Sequence, residues 1–189
     1  MLPNEIKSFP LKEDHFSDWL LLMGDRGGCG GCFCMSSRIP KKQFEQDKGE
    51  RNKQSFRDLM QQGKASGLLF YLNEEGPVAW LSAGPLSALA YLPLQARRKN
   101  PAAEQTWAIS CFFIKKTYRG QGLSSIMLKQ AEELARANGA VWLEGIGVAS
   151  EKPLPGPFMW TGILKVYLKH GYEILEGSAS RKLLRKKLC

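Results

Sequence analysis

One stretch, Trp107 to Gly139 (WAISCFFIKKTYRGQGLSSIMLKQAEELARANG), restricts the fold of this chain more than any other. Ala108 to Ile114 is a nearly unbroken apolar run rich in β-favouring residues, which predicts a buried strand. Beyond it, Leu123, Ile126, Met127, Ala131, Leu134 and Ala135 recur at helical spacing, with Lys129, Gln130, Glu132, Glu133 and Arg136 on the other face. Asn138-Gly139 supplies the stop. Between strand and helix lies Tyr118-Arg119-Gly120-Gln121-Gly122. Unpaired N–H groups and the positive end of the helix dipole make such a turn a site for a phosphate.

The remainder of the chain narrows what can surround this unit. At 189 residues a single domain, 1–189, is expected, and 43% hydrophobic with 24% charged residues is ordinary globular composition. A net charge of +9 fits an anionic partner, whether a phosphate-bearing cofactor, an acidic substrate or nucleic acid, and equally fits a generally basic protein. Five cysteines, an odd number, argue against a closed disulfide framework. The opening residues lack an apolar signal core and no window reaches membrane-spanning length, so a reduced, cytoplasmic protein with no membrane partner is expected.

In chain order, the pattern predicts a strand over Glu5–Leu11 and a helix over His15–Met23 with Phe16, Trp19, Leu20 and Met23 on one face. Gly27 to Met35 is too glycine-rich for a regular element. Pro40 opens a longer helix ending near Gly63. Gly67–Leu72 and Val78–Ala83 form a hairpin around Asn73–Pro77, and Leu86–Glu104 reads as a flap. Ala140–Val148 is a further strand, Ser150–Pro157 a stiff loop and Phe158–His170 a helix stopped by Gly171. Tyr172–Leu175 and Lys182–Leu188 close the chain as paired strands.

This order and its motifs resemble the GNAT N-acetyltransferase superfamily. The family pattern Arg/Gln-x-x-Gly-x-Gly/Ala is matched by Arg119-Gly120-Gln121-Gly122-Leu123-Ser124, with serine at the last position. Tyr167 to Tyr172 resembles the tyrosine–x–x–x–Gly–aromatic end of the family's last helix, and Gly30 to Met35 resembles a segment of one bacterial subgroup. The resemblance implies an α/β (α+β) fold with a mixed, mostly antiparallel sheet of about seven strands, splayed between its two central strands and flanked by about four helices. It implies acetyl-CoA as co-substrate, an amine-bearing acceptor, and a monomer or homodimer. Arg119, Gly120, Gln121, Gly122, Leu123 and Ser124 would hold the pyrophosphate, with Lys115 and Lys116 adding positive potential. The backbone of Phe112, Phe113 and Ile114 would pair with pantetheine and polarise the thioester carbonyl.

For catalysis the resemblance assigns Tyr167 as the acid that protonates the CoA sulfur; without the resemblance the residue reads as a core aromatic beside Trp160, Ile163, Leu164 and Leu168. Glu144, an acid within Val141-Trp142-Leu143, is the candidate base or substrate anchor, and equally reads as a paired carboxylate. Cys29, Cys32 and Cys34 have spacing compatible with metal or redox chemistry. A fourth ligand is missing, since Cys111 and Cys189 lie too far off in sequence to supply one from spacing; no metal is expected, and Cys34-Met35 is read as pocket wall. A cysteine passing the acetyl group on is the alternative to the direct transfer usual in the family. Three other readings stand beside the acetyltransferase. Gly120-x-Gly122-x-x-Ser125 followed by Glu144 resembles a dinucleotide fingerprint, but too little chain follows it. A noncatalytic acyl-CoA-binding regulator and a basic nucleic-acid-binding protein are the other two, the last not expected.

Overall fold

The computed structural model describes residues 6–72, 75–93, 100, 102–150 and 159–188. Asn73 and Glu74 of the hairpin turn, most of 94–101, the stiff loop 151–158 and Cys189 lie outside the described residues.

The strands are β1 (Ile6–Pro10), β2 (Gly67–Leu72), β3 (Pro77–Pro85), β4 (Thr106–Ile114), β5 (Trp142–Val148), β6 (Glu173–Gly177) and β7 (Arg181–Lys187). They form one seven-stranded sheet in the order β1-β2-β3-β4-β5-β7-β6. Every neighbouring pair is antiparallel except β4 and β5. A parallel pair needs a crossover, and α4 (Leu123–Ala137) supplies it. The sheet is thus the mixed, mostly antiparallel one that the resemblance implied.

β4 and β5 are in register only from Thr106 opposite Trp142 to Ala108 opposite Glu144. Past that point β5 stays with β7 while β4 follows β3 to Ile114, so the sheet opens into a splay at its centre. A bulge assists. Ser82 pairs with Cys111 but Ala83 pairs with Ile109, leaving Ser110 as the extra residue. Its hydroxyl bonds to the Ser82 hydroxyl at 2.8 Å, satisfying two buried polar groups.

Side chains of alternate strand residues feed two cores, as the period of two requires. Leu68, Phe70, Leu72, Val78 and Leu81 pack with Leu123, Met127, Leu128, Ala131 and Ala135 of α4. On the opposite face, Leu69 and Trp80 meet α1 (Phe16–Met23) and α3 (Glu50–Gln61). There Trp19 stacks on Phe56 at 4.5 Å between ring centroids, and Trp80 meets Trp19 edge-on at 6.1 Å. Burying each of these rings contributes about 1.5–3 kcal/mol.

Two predicted helices are shorter than their patterns. The helix expected over Pro40–Gly63 is two, α2 (Lys41–Gln46) and α3, interrupted at 47–49. Gly49, at φ +91°, donates its N–H to the Gly31 carbonyl at 3.1 Å, and the Asn52 side chain donates to the same oxygen at 3.1 Å. A long-range contact with the glycine-rich segment therefore outweighs local helix continuity. The helix expected over Phe158–His170 is reduced to α5 (Leu164–Lys169). Gly162 at φ +106° sets the upstream limit, a backbone conformation no helix contains. Five α-helices flank the sheet among the described residues.

Candidate active site

The turn after β4 is shaped by two glycines in left-handed backbone conformations. Gly120 and Gly122 adopt φ of +75° and +85°, conformations that favour glycine, and a Cβ at either would meet nothing within 4 Å. Gly122 is the residue before the first turn of α4, which carries no side-chain cap and no acidic residue. Ser125 donates its amide back to the Gly122 carbonyl at 3.0 Å, and the amides of Leu123 and Ser124 at the start of the helix are left to an external acceptor. Arg119 is anchored by its Nε donating to the Ile114 carbonyl at 2.9 Å, and Gln121 by its amide donating to the Thr117 carbonyl at 2.8 Å. Tyr118 bonds to Glu75, and that acceptor raises its phenol above the usual range.

From this turn a cleft of about 790 Å³ follows the exposed edge of β4 into the protein. Arg119, Gly120, Gly122, Leu123 and Ser124 line one end, and Phe112, Phe113 and Ile114 the middle. The other end is walled by the glycine-rich segment, including Cys29, Cys32 and Cys34, together with Ser110 and Cys111 of β4. The structure brings every predicted cofactor residue except Gln121 into the lining of this cleft.

Strand alternation sets which amides face the opening. Lys115 donates its N–H to the Val78 carbonyl on β3 at 3.0 Å, so the N–H groups of Phe112 and Ile114 point the other way, into the splay. The Phe112 N–H is engaged there by the Trp160 carbonyl at 2.6 Å. The same segment binds β5, where Val148 donates to the Gly162 carbonyl at 2.9 Å. Residues 160–162 therefore bridge the two central strands at the splay.

Tyr167 sits on α5, fully buried, and does not line the cleft. Its hydroxyl donates to the Thr161 carbonyl at 2.9 Å, and its ring packs edge-on against Phe112 and Tyr172. Gly145 and Gly162 make room for it, since a Cβ at either would press on the ring. Burial pushes its phenol well above the usual range, so the group stays protonated.

Glu144 lies in the paired half of β5, also outside the cleft lining. One of its oxygens accepts from Arg185 Nη2 at 2.7 Å and Nε at 3.0 Å. Arg185 in turn stacks over Trp142 at 4.9 Å. This is the paired carboxylate of the two sequence readings, buried with its counter-charge.

The thiols hold the feature that spacing did not reveal. Cys111, distant in sequence, stands beside the Cys34 sulfur, close enough for the two thiols to act on each other. The Trp80 indole N–H donates to that same sulfur at 3.2 Å. Cys34 is held below its usual range mainly by the Cys111 hydrogen bond, with Trp80 and the Arg38 guanidinium acting in the same direction against burial. Cys111 is pushed well above its usual range by the same hydrogen bond, by burial and by the other thiols. Burial also raises Cys32. Phe33 and Cys34 both have positive φ, +41° and +58°, an uncommon state for non-glycine residues. Among the described residues no group of three or more His, Cys, Asp or Glu is arranged to hold a metal ion. The only sequence signal for the Cys34–Cys111 pairing was a cysteine in the middle of an apolar strand.

With this geometry in place, the comparisons are specific. A sequence model of the acetyltransferase (GNAT) family matches residues 36–151. That covers more than half of the chain, which belongs to this family. Solved structures of similar fold include the PaiA N-acetyltransferase of Thermoplasma acidophilum in complex with coenzyme A, with TM-score 0.56 and 10% identity over 97% of this chain and 99% of that one. An N-acetyltransferase from Staphylococcus aureus gives TM-score 0.57 and 13% identity, covering 98% and 100%. A GNAT-family acetyltransferase from Listeria monocytogenes gives 0.59 and 12%, covering 97% and 95%. At these identities the likeness is one of fold. The search of curated proteins returned no match. Neither the family match nor these structures extends to the Gly30–Met35 subgroup resemblance. No helix among the described residues is long and apolar enough to cross a membrane.

Proposed function

We propose that the chain transfers an acetyl group from acetyl-CoA to a primary amine. One observation carries the reading: the uncapped, acid-free N-terminus of α4 opens onto a cleft that continues along the splayed edge of β4. A pyrophosphate fits that terminus, on the amides of Gly120 to Ser124 with Arg119 alongside. The pantetheine arm runs along Phe112 to Ile114. The outward N–H of Ile114 offers it a hydrogen bond, and that of Phe112 does so on leaving the Trp160 carbonyl; a single preorganised oxyanion donor contributes on the order of 100- to 1000-fold in rate.

In direct transfer to the amine, Tyr167 is the proton donor to the departing CoA sulfur. Its protonated state suits the role, and its O–H must leave the Thr161 carbonyl to fill it. Glu144 serves as base only by giving up its Arg185 contacts, so its part is to anchor β5 to β7 beneath the site. The site works inside a reduced compartment, where the free thiols at its inner end persist.

The test is calorimetric titration with acetyl-CoA followed by a screen of amines for CoA release. Micromolar or tighter binding with release dependent on one acceptor class supports the reading. Binding with no transfer to any amine favours the acyl-CoA-binding regulator, and steeply salt-dependent affinity for nucleic acid without acetyl-CoA binding overturns it.

A further inference from the structure

The inner end of the cleft poses a chemical problem that the donor end does not. Among the described residues lining it there is no aspartate, glutamate or histidine; Lys48 and Arg119 are the charged side chains, and the remaining titratable groups are thiols and the phenol of Tyr118. Among the described residues an amine acceptor finds no carboxylate base there. It finds a thiol pair.

We propose that Cys34 is a nucleophile that takes the acetyl group from acetyl-CoA as a thioester and passes it to the amine, with Cys111 holding the proton. The inference rests on acetyl-CoA as donor. Three geometric facts support it beyond residue type. Cys34 and Cys111 both face the cleft, at the end of the β4 edge along which the pantetheine arm is directed. The Cys34 sulfur accepts a hydrogen bond from the Trp80 indole N–H at 3.2 Å, a donor that favours a thiolate over a thiol. Positive φ at Phe33 and Cys34 is backbone strain placed at the sulfur, and strain of this kind persists where the surroundings hold it for a purpose. Arg38 adds positive potential to the same sulfur.

The steps balance. The Cys34 thiolate attacks the thioester carbonyl, forming a carbon–sulfur bond as the bond to CoA sulfur breaks. In this two-step route CoA leaves with the proton of Cys111, whose thiol lines the cleft, and the Tyr167 hydroxyl, turned to Thr161, is not the donor it is in direct transfer. The acceptor enters as the free amine, its ammonium proton left in bulk water; it attacks the Cys34 thioester, one N–H proton passes to the Cys111 thiolate, and Cys34 departs as thiolate. One thioester is exchanged for another, so the first half is close to energetically neutral and reversible, and the amide drives the second half forward. Splitting one transfer into two easier steps is the general use of a covalent intermediate.

Neutral exchange supplies a test that needs no acceptor. The purified chain is incubated with acetyl-CoA and radiolabelled CoA, and with acetyl-labelled acetyl-CoA in parallel, while acetyl-CoA binding is measured on the same sample. The expected result is label passing from CoA into acetyl-CoA, and one acetyl group on the peptide carrying Cys34, released by hydroxylamine. Cys34→Ala loses both signals while still binding acetyl-CoA. Cys111→Ala keeps the site of labelling and slows exchange on the order of 100-fold. Cys34→Ser serves as the closer replacement should the alanine variant fail to fold, with the same loss expected. Binding by the wild-type chain without exchange or label overturns the relay and leaves the donor reading standing. Exchange at the wild-type rate in Cys34→Ala also overturns it. Absence of acetyl-CoA binding overturns both.

Discussion

Ser124→Asp puts a carboxylate into the first turn of α4, which now holds none, and has opposite consequences for the protein alone and for its donor complex. In the free protein the charge meets the positive end of the helix and an uncapped terminus, stabilising the fold by about 0.3–1 kcal/mol. For a domain of this size that raises Tm by about 1–4 °C. With a pyrophosphate on the same amides the charge is repulsive. At roughly 6 Å each like-charge pair costs about 0.7 kcal/mol at the dielectric of water and about 3 kcal/mol at the effective value near a protein surface. Summed over two phosphates, affinity for acetyl-CoA falls at least about tenfold at low salt. The loss shrinks as ionic strength rises, since the Debye length is about 8 Å at physiological salt. Scanning calorimetry and isothermal titration on one preparation read both effects, with Ser124→Asn as the neutral control. A raised Tm with acetyl-CoA affinity unchanged at low salt would take the pyrophosphate off this turn and refute the reasoning.

Three further outcomes follow from the site and its supports. Tyr167→Phe strips the Thr161 carbonyl of its donor, costing about 1–3 kcal/mol of stability while leaving acetyl-CoA affinity nearly intact. Turnover with an identified acceptor falls about 100-fold or more if the hydroxyl gives the proton, and unchanged turnover removes Tyr167 from that role. Glu144→Gln leaves a largely buried Arg185 uncompensated and costs about 3 kcal/mol by denaturant titration, with acetyl-CoA affinity retained. Stability retained with transfer abolished would instead make Glu144 a participant in the chemistry. Gly31→Ala drives a Cβ into the backbone at Gly49 and holds alanine at φ +76°, so a loss of about 2–4 kcal/mol is expected from overpacking and left-handed strain together. A stable Gly31→Ala variant with unshifted Tm would show that this contact does not interrupt the helix.

What the sequence discloses and what it conceals divide along the range of the interactions. β4, the glycine turn and α4 are legible because periodicity, glycine placement and the Asn138-Gly139 stop all act within a few residues. The break at 47–49 is not legible, because its cause is Gly31, which the chain brings there only after folding. Gly162 ends the helical pattern upstream of α5 through its own backbone angle, yet no local pattern announces that it must bind Val148. The residues proposed to hold the donor could be named one by one, since helix termini and strand edges bind through backbone, and all but Gln121 line the cleft. The thiol end could not. Cys34 meets Cys111 because β3 and β4 pair while the glycine-rich segment folds over them, and neither event is written in the spacing of the cysteines.

The bridge at residues 160–162 makes the protein a competitor of its own ligand. The Phe112 amide has one hydrogen to give, and the Trp160 carbonyl holds it. Any extended molecule that pairs with this point of β4 trades one hydrogen bond for another, gaining little net energy from the exchange itself. Selectivity at the splay then depends on what the newcomer brings besides that bond, chiefly charge at the α4 terminus and apolar contact with Phe112 and Phe113. A short peptide strand or a stray carbonyl compound has neither. The central strands are thereby kept closed to casual partners, in the manner of an edge that is covered until the right occupant uncovers it.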